Sequence, residues 1–253
     1  IHTPGIIVAF LLDGDVQGKL QGMSKQLKQV SIDTGAATSD LTDGLYQVVS
    51  AFGESAESVK QLEIAAKAAK AGNATTTDSV NMLSAVTKGY GDTSAAALQK
   101  ASDLAFLTVK LGQTSFPELA SSMGQVVPLA ATMKVSQEEL FGAMATLTGV
   151  TGGTAEVTTQ LRATMQEFLS PSSQMEKALK KMGYTSGAAA LESEGLGGIL
   201  TKLKESVKGD EVAFANLFSS IESKNAVLAL TGAQADAFAE KTAAMGEAAG
   251  ATG

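Results

Sequence analysis

Apolar residues in this chain recur at three- and four-residue spacing in stretches that stop after roughly 15–20 residues, each bounded by start and stop signals of a helix. Leu62, Ala65, Ala66 and Ala69 share one face, with Lys67 and Lys70 near the C-terminal dipole and Gly72 as the expected stop. Thr75 to Asp78 opens the next helix, which carries Val80, Leu83 and Val86 towards Gly89. Ala97, Ala101, Leu104, Thr108 and Leu111 form the following stripe, closed by Gly112. Two capping boxes stand out. Ser115 with Glu118 has Pro117 in its first turn, and Ser136 with Glu139 leads into Leu140, Ala143, Met144 and Leu147. Between them Pro128, which lacks an N–H and clashes with the preceding turn, is expected to bend or break the chain.

The pattern continues to the end. Val157, Leu161, Met165 and Phe168 make a stripe ended by Ser170-Pro171, and Met175, Leu179 and Met182 lead to Gly183. The Gly/Ala/Glu stretch 185–195 reads as irregular. Leu196, Ile199, Leu200, Leu203 and Val207 form the cleanest amphipathic face, Phe214, Leu217, Phe218 and Ile221 another, and residues 233–249 a weakly apolar helix. About forty alanines, 5% aromatic residues and no Trp favour helices packed through small side chains. The expected fold is all-α, a compact multi-helix bundle of short amphipathic helices. A short strand or extended segment is expected at the N-terminal apolar run Ile6–Leu12, which is too short to span a bilayer. There is no internal repeat or sustained heptad, so neither a solenoid nor a long coiled coil is indicated. The expected division is an N-terminal segment 1–35, a helical core domain 36–232, and an Ala/Gly-rich helix 233–253 leading out of it. The chain opens at Ile1 rather than Met and is expected to be part of something longer.

Chemistry is sparse. A net charge of −7 and one arginine, Arg162, argue against binding nucleic-acid phosphates. Absence of Cys removes thiolate chemistry, and the only histidine, His2, would have to carry any triad or zinc site alone. S-x-x-K is absent, Thr201 and Lys204 coming nearest; Gly18-Lys19 is followed by Leu20 and so is not a P-loop. Gly195-Leu196-Gly197-Gly198 lacks the third glycine of a dinucleotide fingerprint and reads as a loop and helix start. Of the carboxylate pairs, Glu138 and Glu139 read as first-turn residues and Glu192 and Glu194 as solvated surface. Asp13 and Asp15 are not continued as a calcium loop. Gly14, Gly18 and Gly22 indicate close packing within the chain, a loop, or a subunit contact. The nine Met and nine Phe read as core, an adaptable Met-rich surface being the other reading. No catalytic, cofactor-binding or metal residue is therefore assigned, no cofactor is expected, and the chain is not read as an enzyme. No partner surface is assigned.

A set of ordered phrases carries a resemblance. They run from Ala65-Ala66-Lys67-Ala68-Ala69-Lys70-Ala71-Gly72 through Thr87-Lys88-Gly89-Tyr90-Gly91, Ser102-Asp103-Leu104, Val109-Lys110-Leu111-Gly112-Gln113-Thr114 and Glu118-Leu119-Ala120. They continue with Gly124-Gln125-Val126-Val127-Pro128-Leu129-Ala130, Glu138-Glu139-Leu140, Leu147-Thr148, Thr159-Gln160-Leu161-Arg162-Ala163 and Pro171. Gly195-Leu196 and Leu228-Ala229-Leu230-Thr231-Gly232 extend the series. Over residues 46–169, and more loosely over most of the chain, this resembles the conserved core of phage tail tape measure proteins, the TP901-1-like minor tail family. The segment before Tyr46 matches poorly, and the family's long ruler portion and hydrophobic stretches are missing.

The resemblance implies a structural virion protein of the tail tube lumen or tail tip, present in the host cytoplasm during assembly. It implies roles in tail assembly, tail-length determination and genome ejection. Its implied partners are tail tube protein, tail-tip or baseplate proteins, tail assembly chaperones and further copies of itself, with host membrane contact at infection and no direct nucleic acid. This domain would anchor or organise the protein. The alternative is a membrane-active helical module for DNA translocation, suggested by a mean hydropathy of +0.12 and the run Ile6–Leu12. A peptidoglycan-cleaving module is a more distant third reading.

Overall fold

The computed structural model describes residues 16–252, with side chains from residue 22 onward. The expected N-terminal strand at Ile6–Leu12, His2, Asp13, Asp15 and Gly14 lie outside the described residues. Thirteen helices follow one another: α1 Val16–Thr34, α2 Thr38–Phe52, α3 Ser58–Gly72, α4 Thr76–Tyr90, α5 Ala95–Leu111, α6 Phe116–Thr132 and α7 Gln137–Leu147, then α8 Thr154–Leu169, α9 Ser173–Lys181, α10 Gly187–Ser206, α11 Glu211–Ala215, α12 Ile221–Thr231 and α13 Ala235–Gly246. No strand occurs among the described residues, where an isolated bridge joins Thr148 to Gly152. The fold is the expected all-α bundle.

Helices pack chiefly on their second neighbours. In one row α2 meets α4, α4 meets α6, α6 meets α8, and α8 meets α12; in the other α1 meets α3, α3 meets α5, α5 meets α7, and α7 meets α13. Most consecutive helices touch across the two rows, so the core is a sheet of apolar side chains between them. Helices α9 to α11 close the end of this arrangement against α8 and α12. The apolar stripes account for this. Leu62, Leu83, Leu104, Leu140, Leu161 and Leu200 are each fully buried, one from each of six helices.

The start signals act as local physics requires. Thr75 and Asp78 make a reciprocal capping box, as do Ser115 and Glu118. Ser136 caps the Glu139 N–H at 3.2 Å, but the Glu139 carboxylate does not complete the box and is used elsewhere.

Several expectations need correction. Gly72 is the last residue of α3 but the left-handed stop is Asn73, at φ 51°, and Gly89 does not end α4, whose left-handed stop is Gly91, at φ 81°. Instead a Cβ at Gly72 would lie 2.5 Å from Phe116 Cγ, and one at Gly89 would lie 2.3 Å from Val127 Cγ1, so both mark close helix contact. Gly112 does cap α5, in an extended conformation. Pro128 does not break α6, which runs on to Thr132. The ring crowds the carbonyl four residues back, and that residue is the exposed Gly124, where water can take the lost bond.

The stretch 185–195 is mostly helical: Ser186 caps Ala189 N–H at 3.0 Å, and α10 departs from helical geometry only at Gly195, φ 71°. Ile221 is 68% exposed rather than aligned with Phe214, Leu217 and Phe218, because Ser220 caps a new helix and resets the phase. A Cβ at Gly22 would meet nothing within 4 Å among the described residues, so they give that glycine no close-packing role.

Candidate functional site

Among the described residues no group of three or more His, Asp or Glu side chains could hold a metal ion. Most of the described residues considered for chemistry are engaged in architecture. Lys204 Nζ donates to the Thr231 carbonyl at 2.7 Å at the end of α12, and the Thr201 hydroxyl bonds back to Gly197 O. They do not meet as a nucleophile and base. Glu138 pairs with Lys100 at 2.7 Å, bridging α7 to α5. Glu139 Oε1 accepts the Gly197 N–H at 3.1 Å and so caps the second half of α10 where Gly195 interrupts it. Glu192 is exposed in α10.

Glu194, read as solvated surface, instead belongs to a small cluster. It accepts the Tyr184 hydroxyl at 2.5 Å and pairs with Lys202 at 2.8 Å. Lys202 and then Tyr184 hold the Glu194 carboxyl below its ordinary range, and Glu194 in turn raises Lys202. A lysine stabilised in its charged form is a poor base, so this is a surface brace rather than a catalytic pair. Burial, followed by Glu138 and Glu139, pushes the Tyr90 phenol up; it stays protonated and donates to Val135 O at 3.0 Å.

Two buried carboxylates were not singled out by the sequence. Asp103 of α5, 2% exposed, accepts the Gly250 N–H at 2.8 Å, the Thr252 N–H at 2.9 Å and the Thr252 hydroxyl. Glu167 of α8 accepts the N–H groups of Ser219 and Ser220. Each is an acid set among buried neighbours of its own helix, Ala101, Ser102, Leu104 and Ala105 for one, Thr164, Met165 and Phe168 for the other. A charged residue on a buried stripe is the available signal, because such a group must find donors. Its partners are far away in sequence.

The described residues also line open depressions. One of about 440 Å³ lies between the end of α10 and the α12–α13 junction, and another of about 480 Å³ lies at the ends of α4 and α6. Neither gathers a set of buried polar groups. No described helix is long and apolar enough to cross a membrane. The construction is that of a structural module: a continuous core, capped helix ends, and carboxylates used to tie distant elements together.

Comparison with known proteins agrees with that class. Residues 24–221 match the family of phage-related minor tail proteins, and the chain belongs to that family. The match begins at residue 24, so it extends into the segment before Tyr46 that carries little of the resemblance. A similar protein is the probable tape measure protein of Clostridium phage phiCD119, 25% identical over 242 residues. The alignment covers 92% of this chain and 26% of that protein, so the chain spans about a quarter of its length. No solved structure matches. The resemblance drawn from the ordered phrases is borne out, and with it a structural role in a phage tail among other tail proteins.

Proposed function

We propose that this bundle is a module of a longer tape measure protein that acts in tail assembly and tail-length determination. The family match over residues 24–221 carries this reading. A ruler must convert residues into length, and an extended helix does so at about 1.5 Å per residue. Ten helices stacked in two rows, with three more closing one end, do not, since a stack advances only by about one helix diameter, roughly 10 Å, for each whole helix added. The bundle therefore serves as an anchoring or organising part. Its partners in this reading are tail-tip or baseplate proteins, tail tube protein, assembly chaperones and further copies of the chain. It would reside at the tail tip or in the tube lumen after assembly in the host cytoplasm.

The test is in-frame removal of residues 58–232 from the phage gene, followed by electron microscopy of the particles. Absent tails, or tails of unregulated length, support the anchoring role. Tails shortened by about 1.5 Å for each residue removed would make this stretch part of the ruler itself and overturn it. Wild-type tails would overturn the role in assembly altogether.

A further inference from the structure

The last helix of the second row, α13, has a row neighbour on one side only, α7. Of its twelve residues only Phe238 and Met245 are buried, and a helix of that length is marginal in water without packing. Its seat on α7 is made of small and polar groups. Gly142 lies beneath Thr242, leaving no room for a Cβ, and the Thr242 hydroxyl is buried without a partner. Lys241 Nζ is turned in to donate to Ala145 O at 2.8 Å, and its loss of water lowers its pKa. The unpartnered Thr242 hydroxyl and the desolvated Lys241 ammonium are costs of this seat.

What offsets them lies beyond the helix. Residues 248–251 form a turn closed by Ala251 N–H to Ala248 O at 3.0 Å, with Gly250 at φ 83°. The segment from Gly250 to Thr252 aims two backbone N–H groups and a hydroxyl at the carboxylate of Asp103. Gln99 Nε2 lies 3.0 Å from Asp103 Oδ1 and 2.8 Å from Thr252 Oγ1, and the Ser102 hydroxyl donates to Thr252 Oγ1 at 3.2 Å. Gln99, Ser102 and Asp103 thus form a receptor on α5 for a segment about 150 positions away in sequence.

We propose that residues 235–252 are a latched strap, a helix and tail that open as one unit from α7 and α5 while the rest of the bundle stays folded, with Asp103 as the latch. The Asp103 carboxylate regains water when its donors leave, which offsets part of the loss, so the contact releases without unfolding α5. Opening bares the Gly142 and Ala145 side of α7, which stays held by α5, α8, α10 and α12. The strap lies beyond the residues matched to the family and goes beyond the assembly role argued above.

Hydrogen exchange read by mass spectrometry on the full chain tests this. Asp103→Asn puts an amide donor against an N–H donor. It is expected to speed exchange across residues 236–252 by on the order of 100-fold, with α4 and α6 unchanged. Thr252→Val, outside every helix, is expected to speed the same segment about tenfold. If Asp103→Asn does not fold, Thr252→Val decides alone. Unchanged protection of residues 236–252 in the folded variants overturns the proposal. Exchange of that segment in step with α4 and α6 in every variant also overturns it.

Discussion

Glu167 and Ser220, 53 positions apart, are joined twice: the carboxylate accepts the Ser220 N–H at 2.8 Å and its hydroxyl at 2.7 Å. A third bond comes from the Ser219 N–H at 2.6 Å. Ser220 is the N-cap of α12, so a side chain of α8 neutralises the free donors at the start of another helix and favours its positive end. Glu167→Ala is expected to cost about 2–4 kcal/mol, because charge-assisted bonds are lost and two N–H groups are left unpaired. Glu167→Gln keeps an acceptor and should cost roughly half as much. Urea denaturation of the two variants checks the order.

Acid should loosen the start of α6. Ser115, through its hydroxyl and then its N–H, holds Glu118 below its ordinary value of 4.5. A carboxyl depressed in the folded state contributes stability that is present above that value and lost as pH falls through the folded-state pKa. Ser115→Ala is expected to cost about 1 kcal/mol at neutral pH. The deficit of Glu118→Gln relative to the parent should shrink as pH drops below 4.5. Thermal melts of the three proteins across that range give the comparison.

Gly72 and Gly22 should respond to alanine in opposite directions. A Cβ at Gly72 runs into Phe116, a fully buried ring at the start of α6, so Gly72→Ala is expected to cost about 1–3 kcal/mol. At Gly22 no described residue lies within 4 Å, and Gly22→Ala should gain about 0.5–1 kcal/mol from helix propensity. Chemical denaturation distinguishes a packing role from a hinge, since a hinge glycine would tolerate alanine in the folded bundle.

Pro128→Ala restores an N–H facing Gly124 O inside α6. The proline is exposed, so no core contact is lost, and stability should rise by about 1–2 kcal/mol. A midpoint shift in urea with unchanged slope is the expected reading.

Stripes and caps were legible because they are relations between residues three or four apart. Leu62 with Ala65, Ser115 with Glu118 and Thr75 with Asp78 need no knowledge of the rest of the chain. Where two local signals competed, the reading failed. Gly89 was a plausible stop, but Gly91 two residues later takes the left-handed turn while Gly89 makes room for Val127. Ile221 continued the spacing of Phe214 and Phe218, yet a serine cap just before it began a new helix in a different phase.

By itself the amino-acid sequence determined that this protein is a run of short, capped, amphipathic helices with a shared core. It also carried the ordered phrases of the minor tail family. Only the tertiary structure decided which helix lies against which. It placed Glu167 on Ser220, Glu139 on Gly197 and Asp103 on Thr252, and gave the glycines of α3 and α4 a packing role. The physical reason is that helix formation is set by neighbours along one turn, whereas a buried carboxylate accepts any well-placed donor. Which donor reaches it depends on how whole helices stack, and sequence spacing does not encode that.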